Sequence, residues 1–291
     1  MRVAVILTGG YRTLPSTLPY YHEIFSDEYD FFAVVHQNEV YPYLPPIVDK
    51  VDAKDLLEAH LGWKLKSFTN YSLTPEYEAI RKRQLSKMNI TNYWRHYLLY
   101  SGTMIEYHQF QIAFEQMKAF EVETGVHYSR IVRFRVDTLV NCRLQVHAQV
   151  PLLGSTVCDF SSCFFPGRNF QGIEQEVSPS NLKIAPDLLD RDWVVALRNN
   201  VIYVCTRNAA SKIALLGEHF GDFLPPDTMD ADCNAEMQLK SVCEYHKIPY
   251  LTSTTHLEHM SLIQSQYNPA RYFDDSGKIR KGEFTFFIKR T

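Results

Sequence analysis

Ile131-Val132-Arg133-Phe134-Arg135-Val136-Asp137 is the stretch that decides the fold class. Period-two alternation sets Arg133, Arg135 and Asp137 on one face of a strand and Val132, Phe134 and Val136 on the other. A long helical pattern precedes it. A strand delivered by such a helix lies centrally in a sheet and is covered on both faces. Two arginines and a carboxylate there must pair with one another or line a polar cavity, because an uncompensated buried charge is strongly unfavourable.

Upstream, Trp94, Leu98, Ile105, Ile112, Ala113, Met117 and Phe120 recur near helical spacing, with Gly125 closing the run and Gly102 as a candidate break. Thr74-Pro75-Glu76 combines a capping hydroxyl, a proline at the first helical position and an acid in the first turn, which predicts a helix to about residue 87. Asp52 as N-cap, Asp55 three residues on and Gly62 just past the end predict another. Nearer the start, an apolar strand over 2 to 7, a glycine-containing turn and a second strand over 30 to 35 form a βαβ beginning. Continuous apolar runs of this kind suit parallel strands covered on both faces, and such sheets place ligands at the carboxyl ends of their strands. The loops after residues 7 and 35 are therefore candidate ligand loops.

Downstream, Pro151, Pro166, Pro179 and Pro186 mark a less regular stretch. A strand over 200 to 205, helices over 208 to 220 and 233 to 245, an extended segment over 248 to 251 and a strand over 284 to 288 follow. Repeats, low-complexity tracts and a linker are not evident. The expected architecture is one α/β domain over 1–291, with a mixed, mostly parallel, Rossmann-type sheet flanked by helices.

With 291 residues, 45% hydrophobic and 13% aromatic, the chain has ample material for a core. A net charge of −3 supplies no global field for nucleic acid or an anionic membrane. The apolar run Val3 to Leu7 is too short for a membrane span, so the sequence reading is a cytoplasmic protein that neither spans a membrane nor binds nucleic acid. The cysteines form no C-x-x-C pair, which argues against a zinc site or a disulfide scaffold and predicts buried thiols.

Three constellations carry candidate chemistry. Thr8-Gly9-Gly10-Tyr11-Arg12 ends a strand: glycines let a ligand approach the backbone, and an arginine fork grips a diphosphate. The same residues also suit a tight turn with a surface arginine. Arg135-Val136-Asp137 offers a carboxylate able to hold Mg²⁺ or Mn²⁺ against a departing diphosphate, or alternatively an arginine–aspartate ion pair stitching strand to helix. Asp230-Ala231-Asp232 through Glu236 gathers acids at a helix start. Capping alone favours that pattern, although Glu236 or Asp232 facing a cleft would serve as a general base. His256 is a further candidate metal ligand.

Taken in order, Thr8 to Leu14, Tyr29-Asp30-Phe31-Phe32-Ala33-Val34-Val35-His36, Gln109 and Tyr128 to Leu139 resemble a GT-A-like glycosyltransferase family frequent in large DNA viruses and some bacteria. The resemblance implies a nucleotide-sugar-binding half over 1–140 and an acceptor-side half over 141–291. It implies that Thr8, Gly9, Gly10, Arg12, Arg135 and Asp137 meet the nucleotide diphosphate and that Asp137 binds the metal. It further supports Glu236, within Asn234 to Leu239, as an acceptor-side residue. Partners so implied are a nucleotide-sugar donor, with UDP as nucleotide, and a glycan or glycoprotein acceptor. The sequence departs from the family where Arg135 stands in place of the first aspartate of an Asp-x-Asp motif, and Asp230 to Asp232 supplies a rival. A sugar nucleotidyltransferase and a non-catalytic glycan- or protein-binding module are the competing expectations.

Overall fold

A computed structural model describes residues 2–11, 14–25, 27–38, 51–100, 102–140, 192–198, 201–224, 235–252 and 286–288. In chain order the elements begin with β1 (Arg2–Gly10), the short helices α1 (Leu14–Thr17) and α2 (Tyr21–Ile24), β2 (Tyr29–His36), α3 (Ala53–Leu61) and β3 (Leu65–Asn70). They continue with α4 (Pro75–Lys87), α5 (Asn92–Tyr100), α6 (Thr103–Thr124), β4 (Tyr128–Arg135) and β5 (Thr138–Val140). The remainder are β6 (Val194–Arg198), β7 (Ile202–Thr206), α7 (Arg207–Ala214), α8 (Leu216–His219), α9 (Ala235–Tyr245), β8 (Tyr250–Thr252) and β9 (Phe286–Ile288).

Among the described residues, β3-β2-β1-β4-β7-β6-β8 form one sheet in that order, and β5 pairs with β9 apart from it. The neighbours of β1 and β2 are parallel to them. β7 runs antiparallel to both β4 and β6, while β6 and β8 are parallel. β7 is thus the one strand of this sheet that is reversed, and the expected mixed, mostly parallel sheet flanked by helices is what forms.

Alternation along β1 builds two cores. Val3, Val5 and Leu7 join Phe31, Phe134 and the short α1–α2 segment on one side. Ala4 and Ile6 join Phe32, Ile131 and helix α6 on the other. Helix α6 buries Met104, Tyr107, Phe110, Ala113, Phe114 and Met117 along one stripe, and each large side chain so removed from water is worth roughly 1.5–3 kcal/mol.

The predicted caps act as expected. Asp52 accepts from the Lys54 and Asp55 amides, Thr74 accepts from the Tyr77 amide, and Gly125 ends α6 at φ 71°. The long helical pattern divides at Gly102 into α5 and α6. Several expectations are corrected. β1 continues through Gly10 instead of turning at Gly9, because the glycines still pair with Val35 and His36. β4 stops at Arg135, so Asp137 lies in the turn that follows. The helix expected over 208 to 220 breaks at Leu215 into α7 and α8. β3, whose residues are half-buried and mixed in polarity, carries no apolar run to announce it.

Candidate functional site at the carboxyl edge of the sheet

β1 connects outward to β2 and β3 on one side and has β4 on the other, so the strand order reverses between β1 and β4. In open α/β sheets the crevice at the carboxyl ends of strands beside such a reversal is where ligands bind. Thr8, Gly9 and Gly10 stand on one lip, and Arg135 and Asp137 on the other.

The lips are held close. The Val136 amide donates to the Thr8 carbonyl at 3.0 Å. Gly9 has φ +133°, and a Cβ there would come within 3.1 Å of a Val136 methyl. Only glycine adopts that conformation without strain. On the far side, the Val136 carbonyl accepts from the Thr17 hydroxyl at 2.6 Å and from the Tyr21 hydroxyl at 3.4 Å, so α1 and α2 fix the turn that presents Asp137.

Helix α6 runs antiparallel to β4, which brings its first turns to this edge. Glu106 bridges the arginines, with Oε2 at 3.0 Å from Arg133 and Oε1 at 3.3 Å from Arg135. Arg135 grips Asp137 bidentately, Nε to Oδ1 at 3.0 Å and Nη2 to Oδ2 at 2.7 Å. Arg133 also donates to the Val201 carbonyl at 2.8 Å. Arg133, Glu106, Arg135 and Asp137 therefore form one chain of alternating charge, as burial on a central strand demanded. The sequence reading left Glu106 out; its signal was an acid one turn before Gln109 on the helix that feeds an arginine-bearing strand.

Gln109 donates to the Gly9 carbonyl at 3.4 Å. Its side-chain oxygen, the Thr8 hydroxyl and the Thr138 hydroxyl are buried without a hydrogen-bond partner among the described residues. Buried polar atoms in this state call for a water or a ligand. Next to them, Tyr71 follows β3, and its hydroxyl meets His108 Nδ1 at 3.0 Å. The His108 ring stacks on Tyr77 at 3.6 Å. Burial lowers the His108 pKa to about 4, against an opposing pull from Glu218, so the imidazole is neutral at pH 7.

Glu236 lies in the first turn of α9. The neighbouring Ala235 carbonyl accepts from the Tyr107 hydroxyl at 2.6 Å, which ties α9 to α6. Burial pushes the Tyr107 pKa well up, with Arg133 and Glu236 both acting on it electrostatically. Glu236 is thus on the α6 side of the sheet, in the same electrostatic neighbourhood as Arg133. Arg12, Asp230, Asp232 and His256 lie outside the described residues.

Among the described residues no group of three His, Cys, Asp or Glu side chains is placed to hold a metal ion, and no helix is long and apolar enough to cross a membrane. Cys205 and Cys243 are buried free thiols, as expected. A cavity of about 990 Å³ opens at the opposite edge of the sheet, beside the amino end of β4, and Thr8, Gly9, Gly10, Arg135, Asp137 and Glu236 are not among the described residues that line it. Comparison of the chain with protein-family models and with curated proteins finds no match.

Proposed function

We propose that the chain is a GT-A-like glycosyltransferase that moves a sugar from a nucleoside diphosphate donor, a UDP-sugar, to a hydroxyl of a glycan or glycoprotein. The observation that carries the reading is the crevice where the strand order reverses, with Gly9 on one lip and Asp137 on the other. Gly9 lets the β1 backbone come close to a bound group, and Arg135 with Arg133 places positive charge where a diphosphate would leave. The Thr8, Gln109 and Thr138 atoms that have no partner among the described residues give that crevice further polar capacity.

The donor set suits Mn²⁺ or Mg²⁺ in one form only. Asp137 contributes a hard carboxylate oxygen while Arg135 holds both of its oxygens, so phosphate oxygens and water would complete the shell, a common arrangement for Mg²⁺. Bound there, the ion would neutralise charge developing on the leaving diphosphate. Arg12 would add a third guanidinium, His256 a further ligand, and Glu236 or Asp232 would take the acceptor proton in an inverting reaction.

The closed Arg135–Asp137 clamp favours a second reading, a non-catalytic module that binds a glycan or protein through the same crevice. A thermal-shift panel of UDP, GDP, CMP and their sugars, with and without Mn²⁺, on wild type and Asp137→Asn separates the two. Ligand at a hundred times its Kd adds about 2.7 kcal/mol. A Mn²⁺-dependent shift by one nucleotide, lost in Asp137→Asn and accompanied by slow donor hydrolysis, is the expected result. No shift with any nucleotide removes the transferase reading. Pyrophosphate release from a nucleoside triphosphate and a sugar phosphate would instead indicate a nucleotidyltransferase.

A further inference from the structure

The reversed strand β7 changes the opposite edge of the sheet. Its register sets Thr206, at its carboxyl end, against Arg130 near the amino end of β4. Around that point the α6–β4 turn, the first turn of α7 and the α9–β8 turn line an open cavity of about 990 Å³.

The charge on its wall is unevenly spent. Arg207 is neutralised by Glu121, its Nε at 3.1 and 3.0 Å and its Nη2 at 2.6 Å from the carboxylate. Asp192 has both oxygens engaged, accepting from the Thr206 hydroxyl at 2.8 Å and from the Asn208 amide. Arg130 differs. Its guanidinium lies over the Trp193 ring at 4.9 Å, and Nη1 donates only to the Ser129 carbonyl at 3.1 Å. Among the described residues no carboxylate pairs with it, although burial presses its pKa below the ordinary arginine range. A half-buried cation without a counter-ion is costly.

Lys247 borders the same cavity without an ion pair among the described residues, and it is the one non-glycine among them with positive φ, 56°. That left-handed backbone closes the turn after α9, with the Lys247 amide donating to the Glu244 carbonyl at 3.0 Å and the Ile248 amide to the Cys243 carbonyl at 2.8 Å, and it leaves the lysine side chain exposed. His127 and His246 complete the rim, and burial, with Lys212 nearby, presses the His246 pKa down so that this imidazole offers a hydrogen bond and not a charge.

We propose that this cavity binds a phosphate-bearing small molecule, with the phosphate held between Arg130 and Lys247. Two unspent cations exceed what one carboxylate needs and match a phosphate dianion, whose oxygens the arginine fork meets bidentately. The volume is that of a small-molecule pocket rather than of an ion alone. The site is separate from the crevice between Gly9 and Asp137 and stands whether or not that crevice carries sugar transfer.

Isothermal titration with inorganic pyrophosphate, without divalent metal, tests it on wild type, Arg130→Met and Lys247→Asn. Met keeps the stem over Trp193, and Asn suits the left-handed backbone at an exposed position, so at least the second variant retains the fold. The expected result is one molecule bound per chain and an affinity at least tenfold weaker in each variant. Absence of binding at millimolar pyrophosphate overturns the proposal, and so does unchanged affinity in both variants, which would place the anion at another site. Succinate binding as tightly as pyrophosphate overturns the phosphate assignment.

Discussion

The two edges of the sheet use the same strand differently. β4 carries Arg133 and Arg135 toward its carboxyl end and Arg130 toward its amino end. At the carboxyl edge the arginines meet Glu106 and Asp137 and alternate in charge with them. At the amino edge the nearby carboxylates are engaged elsewhere, Glu121 by Arg207 and Asp192 by Thr206 and Asn208, and Arg130 rests on an indole instead. The faces of the strand account for the difference: alternation sets Arg130 on the face opposite Arg133 and Arg135, so Glu106 on α6 serves that pair while Arg130 meets Trp193. At one edge the charges are paired with one another, and the arginines meet a ligand only by exchanging partners. The other holds charge in reserve.

The sharpest way to break this comparison is Glu106→Gln. If the carboxyl-edge chain is what balances two buried guanidinium groups, removing its central charge costs about 3 kcal/mol in a urea titration, as for other buried pairs that lose one partner. A loss below about 0.5 kcal/mol, the size of an ordinary surface change, would show that Glu106 is dispensable. Gly9→Ala tests the closeness of the two lips. A Cβ at φ +133° and 3.1 Å from Val136 should cost about 2 kcal/mol, and an unchanged urea midpoint would show that the turn at Val136 yields.

His108 probes the same edge through pH. Its folded pKa of about 4 lies below the ordinary 6.5 because burial disfavours the imidazolium. Between those values the unfolded chain binds a proton that the folded chain does not, so stability falls as pH drops from about 6.5 toward 4. His108→Gln keeps an acceptor for the Tyr71 hydroxyl and should lose that part of the slope, about 1–2 kcal/mol once solvent screening of a partly exposed ring is allowed for. Identical pH profiles for the two proteins would contradict the burial argument. The smallest effect is expected at the other edge. Arg130→Met orphans no carboxylate and keeps its stem on Trp193, so its urea stability should stay within about 0.5 kcal/mol of wild type. A large loss would mean that Arg130 is structural and not held in reserve.

Much of this was legible in the chain. Period-two alternation from Val132 to Val136 gave the strand, its two faces and the need for charge partners, because side-chain direction in a strand is local geometry. Asp52, Thr74 and Gly125 marked helix ends for the same reason, since a cap concerns residues within one turn. β3 escaped because an edge strand needs no apolar run. β6 escaped although Trp193 to Leu197 is apolar, since five such residues fit a strand or a buried helical turn equally well. At the site, Thr8, Gly9, Gly10, Arg135 and Asp137 were readable as strand-end residues, whereas Glu106 looked like any acid on a helix surface.

By itself, then, the sequence determined the α/β alternation, the helix caps and a polar face on β4 that had to be compensated, all consequences of interactions within a few residues. The tertiary structure alone decided that Gly9 and Val136 touch, that Glu106 joins two arginines while no carboxylate among the described residues pairs with Arg130, and that β7 reverses beside an open cavity at the far edge. Those outcomes depend on which strands become neighbours. Strand order is set by burial summed over the whole sheet, and no stretch of the chain encodes that sum locally.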